Sequence, residues 1–155
     1  MKLTPGKINS FLAFKLPAAF LSGVRLKALD GTKCTTTVRH RWINQNPFRS
    51  IYFAVQAMAA ELSTGVLVMM HIKETDLKIT MLVANLQGNY SKKATGTITF
   101  TCVDGQKVLD AISETKKTGE GITFWMTSVG KDSTGEIVST HQFEWRIKLK
   151  QKEKN

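Results

Sequence analysis

At 155 residues, 42% apolar and 22% charged, the chain has room for one domain with a buried core and is too apolar to be disordered or fibrous. Its formal net charge of +10 favours polyanionic partners: nucleic acid, an anionic membrane surface, an acidic carrier protein or a phosphorylated cofactor. Cys34 and Cys102 fit no metal or redox spacing, and His40, His71 and His141 are scattered. That pattern implies reduced, buried thiols, a cytoplasmic protein and no metal site.

In chain order, "FLAFKLPAAFLSG" has the flavour of a signal peptide, but Lys15 and Pro17 interrupt it and no A-x-A site follows. It reads instead as a short helix from about Pro5 to Leu21, kinked or ended at Pro17. "GVRLKALDGTKCTTTVRHRWI" follows, with Asp30-Gly31 as the turn of a hairpin. In its second arm Cys34, Thr36, Val38, His40 and Trp42 share the packed face, while Lys33, Thr35, Thr37, Arg39 and Arg41 share the wet one.

The next break is Asn44–Pro47, and a helix capped by Asn46 is expected from there to about Thr64, with Gly65 as its stop. Ile51–Ile72 is long enough to suggest a membrane span. Gln56, Glu61 and Ser63-Thr64-Gly65 divide it instead into a buried helix, a glycine stop and a buried strand, "VLVMMHI", so no transmembrane segment is expected. Four further strands are expected in "KITMLVANLQGNY", "TGTITFTCV", "ITFWMTSVG" and "EIVSTHQFEWRIKLK". "QKVLDAISETKKTGEG" holds either a short helix or a strand and loop, and residues 149–155 form a solvated, frayed tail. The whole is one domain, 1–155, of the α+β class, with a strongly bent antiparallel sheet around one central helix.

On that helix, Ile51, Val55, Met58 and Leu62 form a bulky stripe, and Ser50, Ala54, Ala57 and Glu61 a second stripe that is small except for its carboxylate. A helix apolar on nearly all sides is buried on all sides, so a second copy is expected to cover what the sheet does not. Glu61 has no Lys or Arg within eleven residues on either side. Either it reaches solvent or a distant cation, or it is held in a pocket with raised pKa as a base or nucleophile.

The pattern Asn46, Ser50-x-Tyr52, Ala57 and Ala60-Glu61 resembles the central-helix signature of the hotdog superfamily, in particular a poorly characterised thioesterase-like branch. The kinked N-terminal helix, the "GVRLKALDG" hairpin, Lys92-Lys93-Ala94 and the closing "GKDSTGEIVSTHQFEWRIKL" also have counterparts there, so the resemblance covers nearly the whole chain. It implies a long helix wrapped by a curved antiparallel sheet, dimerised side by side, with the ligand site between protomers. The resemblance assigns Glu61 as the acid, Asn46, Ser50 and Tyr52 to the helix entry, and the backbone N–H groups of Phe53 and Ala54 to the substrate carbonyl. Where many active relatives have a His and two glycines, this chain has Tyr52, Phe53 and Ala54; where the branch often has Gly before Ser, it has Arg49.

Two functions follow from the resemblance. One is hydrolysis of an acyl-CoA or acyl-carrier thioester by a homodimer, or a pair of dimers, with coenzyme A present only as part of the substrate. The other is a non-catalytic hotdog protein that binds an acyl chain or acyl-CoA, or serves only a structural role. Ala57 would line the ligand site, and Arg49, Lys92 and Lys93 would suit its phosphates or an acidic acyl carrier protein. The plain alternative is that such residues are simply an exposed basic face. No nucleic-acid motif is present, and a basic surface module for nucleic acid or membrane is a third and weaker reading.

Overall fold

A computed structural model of the protein describes residues 3–150. The N-terminal region is helical as expected, in two pieces: α1 (Pro5–Lys15), capped by Thr4, and α2 (Pro17–Leu21), each starting on a proline. α1 buries Ile8 and Leu12. The hairpin follows as β1 (Arg25–Leu29) and β2 (Cys34–Arg39), closed by Asp30 Oδ1, which accepts from the Thr32 and Lys33 N–H groups. Cys34, Thr36 and Val38 are buried.

The alternation ends sooner than expected. A single 3-10 turn, Trp42–Asn44, replaces the end of the strand. Asn44 is buried there, accepting from Arg41 N–H and donating to the Ser22 and Arg39 carbonyls. This rotates the chain, so Trp42 lies in solvent and not on the packed face.

The central helix, α3, spans Phe53–Lys73. It starts later than expected and runs straight through Gly65, so "VLVMMHI" is helix and not strand. Two facts explain the difference. Ser63 and Thr64 turn their hydroxyls back onto the Ala60 and Glu61 carbonyls, so their polarity is satisfied within the helix. Gly65 is needed for close approach: a Cβ there would sit 3.1 Å from the Trp145 ring. Asn46 does not cap α3, and Ser50 and Ile51 precede it. The accessible stripe therefore reduces to half-buried Ala54, Ala57, Met58 and Glu61. Among the described residues α3 is the one helix long and apolar enough to cross a membrane, and 67% of its most apolar stretch is buried within the protein.

The remaining strands are β3 (Ile79–Tyr90), β4 (Thr97–Cys102), β5 (Ile122–Lys131) and β6 (Ile137–Leu149). The six form one antiparallel sheet in the order β1-β2-β4-β5-β6-β3, curved around α3. The open segment between β4 and β5 is a helix, α4 (Gly105–Thr118), which buries Val108, Ala111, Ile112 and Thr115 and ends on left-handed Gly119. Cys34 and Cys102 oppose each other across β2 and β4 as free, fully buried thiols.

The sheet interior is tightest where Gly130 meets fully buried Phe100: a Cβ on Gly130 would lie 2.5 Å from the ring. Gly130→Ala is expected to cost about 1–3 kcal/mol through overpacking. Urea denaturation reads this directly, and an unchanged midpoint would contradict the close approach.

Candidate active site

The entry to α3 is built by a tight turn. Asn46 Oδ1 accepts from the Phe48 and Ser50 N–H groups, and Asn46 Nδ2 donates to Ser50 Oγ at 2.9 Å. Closing this turn puts Arg49 at φ 58°, the left-handed region that favours glycine. Ser50 is buried, and Ile51 N–H donates to the Ala94 carbonyl.

Tyr52 is the N-cap of α3 and supplies no side-chain cap; its carbonyl accepts from both Val55 and Gln56 N–H. Among the described residues the Phe53 and Ala54 N–H groups have no acceptor, so two donors at the positive end of the helix dipole remain open. Phe53, though not Ala54, lines a cleft of about 380 Å³ together with Asn46, Ser50, Gln56, Tyr90 and Lys93. Two edge-to-face ring contacts crowd this entry, Tyr52–Phe53 at 4.9 Å and Phe53–Tyr90 at 6.0 Å.

The two lysines differ. Lys92 is ion-paired with both Asp132 and Glu136, and the hydrogen bonds it donates to them, that to Glu136 above all, raise its pKa. Lys93 is exposed, its Nζ 3.4 Å from the Phe48 carbonyl. Lys93 is thus the lining cation that no carboxylate neutralises among the described residues, while Arg49, in the turn between Phe48 and Ser50, does not line the cleft.

Glu61 lies elsewhere. Eight residues of helix separate it from Phe53, roughly 12 Å along the axis. It borders an apolar cavity of about 110 Å³ between α1, α3 and β3, lined by Ile8, Phe11, Leu16, Gly65, Met69 and Met81, among others. Its carboxylate makes no hydrogen bond or ion pair among the described residues, and burial alone raises its pKa from 4.5 to about 7. Gly65 makes room for it: a Cβ there would be 3.0 Å from Glu61 Oε1. One chain therefore brings Asn46, Ser50, Phe53, Lys92 and Lys93 to one cleft, with Tyr52 and Ala54 at the adjoining helix start, and leaves Glu61 at another.

Residues 7–147 match the family model described as Domain of unknown function (DUF4442). The chain belongs to the DUF4442 family. Solved structures of the same fold include a Pseudomonas aeruginosa protein named a probable thioesterase of unknown function. It is 18% identical with a TM-score of 0.79, over 96% of this chain and 99% of that one. A Chlorobaculum tepidum protein of unknown function is 15% identical with a TM-score of 0.80, over 96% and 99%. A Haemophilus influenzae thioesterase is 10% identical with a TM-score of 0.74, over 99% and 97%. No curated protein matches by sequence. Likeness at these identities establishes the hotdog fold, and the fold alone, for this DUF4442 chain.

Sequence reasoning missed a polar network behind the helix entry of this family member. Ser139 Oγ donates to Gln56 Oε1 at 2.8 Å, and Gln56 Nε2 donates to the Ile51 carbonyl. His141 Nε2 lies 2.8 Å from the Tyr90 hydroxyl, which donates to the Phe53 carbonyl at 3.3 Å. Burial pushes the pKa of His141 down to about 4, so the ring is neutral at ordinary pH. Its buried Nδ1 has no partner. The tautomer that strands the least has Nε2–H donating to Tyr90 and Nδ1 bare, because an orphaned N–H costs more than an orphaned lone pair. The available signal was strand period: Ser139 and His141 share the buried face of β6 with Phe143, Trp145 and Ile147.

The raised pKa of Glu61 fixes a pH dependence of stability. Protonated Glu61 is tolerated and ionised Glu61 is not, so its favourable contribution is complete below pH 4.5 and is lost as pH rises to about 7. Glu61→Gln is expected to stabilise the fold by about 3 kcal/mol at pH 8 and by almost nothing at pH 4. Denaturation of both proteins at the two pH values checks this; equal differences at both would show an unperturbed carboxyl.

Proposed function

We propose that the protein hydrolyses an acyl thioester, acyl-CoA or acyl-carrier-bound, at a site completed by a second copy of the chain. The observation that carries this is the unpaired carboxylate of Glu61 in its apolar cavity, with a pKa raised to about 7. A carboxylate so tuned is a stronger base than an exposed one and is substantially ionised at neutral pH. The names of the thioesterases that share the fold support the same reaction class.

In this reading the substrate carbonyl oxygen meets the open N–H groups of Phe53 and Ala54, with Asn46 and Ser50 holding the turn that presents them. Glu61 of the other protomer takes a proton from water as its oxygen adds to the carbonyl carbon. The tetrahedral oxyanion collapses, the carbon–sulfur bond breaks, and the thiolate recovers the proton from Glu61. The products are a carboxylic acid and a thiol. Arg49 and Lys93 face the phosphates of coenzyme A or of a carrier-protein arm. No further cofactor takes part.

A dimer is supported by two surfaces. β3 is an outer strand with Leu82 and Leu86 exposed, and a long apolar edge is normally covered. The half-buried stripe of Ala54, Ala57 and Glu61 is open beside it. Pairing of dimers into tetramers is compatible with this arrangement. The opposed free thiols of Cys34 and Cys102 suit a reducing, cytoplasmic setting.

The crowding of Tyr52 and Phe53 favours the second reading, binding of an acyl chain or acyl-CoA without turnover. Hydrolysis of a panel of acyl-CoA thioesters decides between them. The wild-type homodimer is expected to turn substrate over with a rate that rises with pH around a midpoint near 7, and Glu61→Ala to lower kcat by at least about 100-fold. Equal turnover by the variant defeats the role of Glu61; none by the wild type favours the binding protein.

A further inference from the structure

The 3-10 turn after β2 carries groups that neither the core nor the proposed thioester site uses. Simple alternation would have packed Trp42 inward. Instead Asn44, only 2% exposed, spends its side chain on three backbone partners and turns the chain out, leaving Trp42 83% and Ile43 55% exposed. One of those partners is the Ser22 carbonyl, which pins the end of α2 and its 63% exposed Leu21 beside the turn. A rigid backbone thus presents an indole and an aliphatic side chain to solvent, next to a second aliphatic on α2.

The charge that flanks the turn is basic. Arg39 and Arg41 flank the turn and are exposed, and Arg41 reaches to within 3.8 Å of where a Cβ on Gly23 would lie. Arg25 stands nearby with its guanidinium 3.7 Å from the Phe20 ring centroid. Burial, and after it the charge of Arg41, hold the Arg25 pKa below its ordinary value. The first 60 residues contain nine Lys or Arg and one acid, Asp30. Asp30 lies at the far end of the hairpin, six residues of β2 away from the turn. In the neighbouring segment 92–97, Lys93 adds a cation that no carboxylate pairs among the described residues, whereas Lys92 is neutralised by Asp132 and Glu136.

We propose that the Trp42–Ile43 turn docks the protein on an anionic membrane surface, with Trp42 and Ile43 entering the headgroup–acyl boundary and Arg39 and Arg41 on the lipid phosphates. Tryptophan favours that boundary, and basic residues within a Debye length of anionic lipid add to it. A second copy fits less well: two-fold apposition of this patch would set Arg39 and Arg41 against themselves with no acid to compensate. Nucleic acid would use the arginines but has no use for the aliphatic side chains of Ile43 and Leu21. This docking stands apart from the thioester reading and does not depend on Glu61.

The full chain and its variants are to be sedimented with phosphatidylcholine vesicles, with and without phosphatidylserine, while Trp emission is followed. Expected are binding to the phosphatidylserine vesicles, a shift of emission to shorter wavelength, and quenching by brominated acyl chains that Trp42→Phe reduces. Trp42→Ser with Ile43→Ser, and separately Arg39→Gln with Arg41→Gln, are each expected to weaken binding by about tenfold or more. No binding to anionic vesicles overturns the proposal. So does binding that survives Trp42→Ser with Ile43→Ser, which would mark plain electrostatic attachment of the kind nucleic acid also gives. A change from dimer to monomer in that double variant would assign the turn to a second copy and overturn it equally.

Discussion

The close approach of α3 to β6 at Gly65 is the constraint on which the rest of the structure turns. Without a side chain at that position, the Trp145 ring lies directly against the helix and its Nε1–H reaches Thr64 Oγ1 at 2.9 Å. A glycine in the middle of a helix costs about 1 kcal/mol relative to alanine, and here the packing of a large buried ring offsets that cost. The same notch accommodates the Glu61 carboxylate one turn earlier. Packing and the proposed chemistry therefore meet at one glycine.

Glu61 is a costly group in stability terms. It is half-buried against apolar side chains and has no cation or donor to compensate among the described residues, and proteins rarely retain such a carboxylate for the sake of the fold. Active-site carboxylates are tuned in this way, by apolar surroundings and not by a partner. The helix entry is prepared in the opposite sense. Asn46 and Ser50 close a turn that forces Arg49 into a left-handed conformation, and the first turn of α3 is left without a side-chain cap. One end offers donors, and the other a carboxylate whose basicity the cavity sets. Within a single chain they are separated along the helix, which is why the proposed chemistry, using both, calls for a second copy of the chain.

Much of the fold was legible because its strands alternate and its turns carry the residues their geometry demands: Asp30-Gly31 in the hairpin, and Asp132 to Gly135 before β6. The family signature on the central helix singles out Asn46 and Ser50, which the chain brings to one cleft, and Glu61, which it leaves at another. The errors have physical causes. Gly65 reads as a helix stop because its tertiary purpose, room for Trp145, is invisible in local sequence. Strand alternation points Trp42 inward because periodicity ignores the three side-chain hydrogen bonds of Asn44. The pairing of Lys92 with Asp132 and Glu136, and of His141 with Tyr90, joins residues forty or more positions apart; spacing along the chain carries no such information.

The most direct test is the titration of the Glu61 carboxyl itself, followed by carbon NMR in protein labelled at glutamate side chains and assigned with Glu61→Gln. A midpoint near pH 7, well separated from the exposed glutamates, is the result this account predicts. A midpoint near 4.5 would mean that the carboxylate is solvated or paired in solution, and the chemistry assigned to it would have no basis.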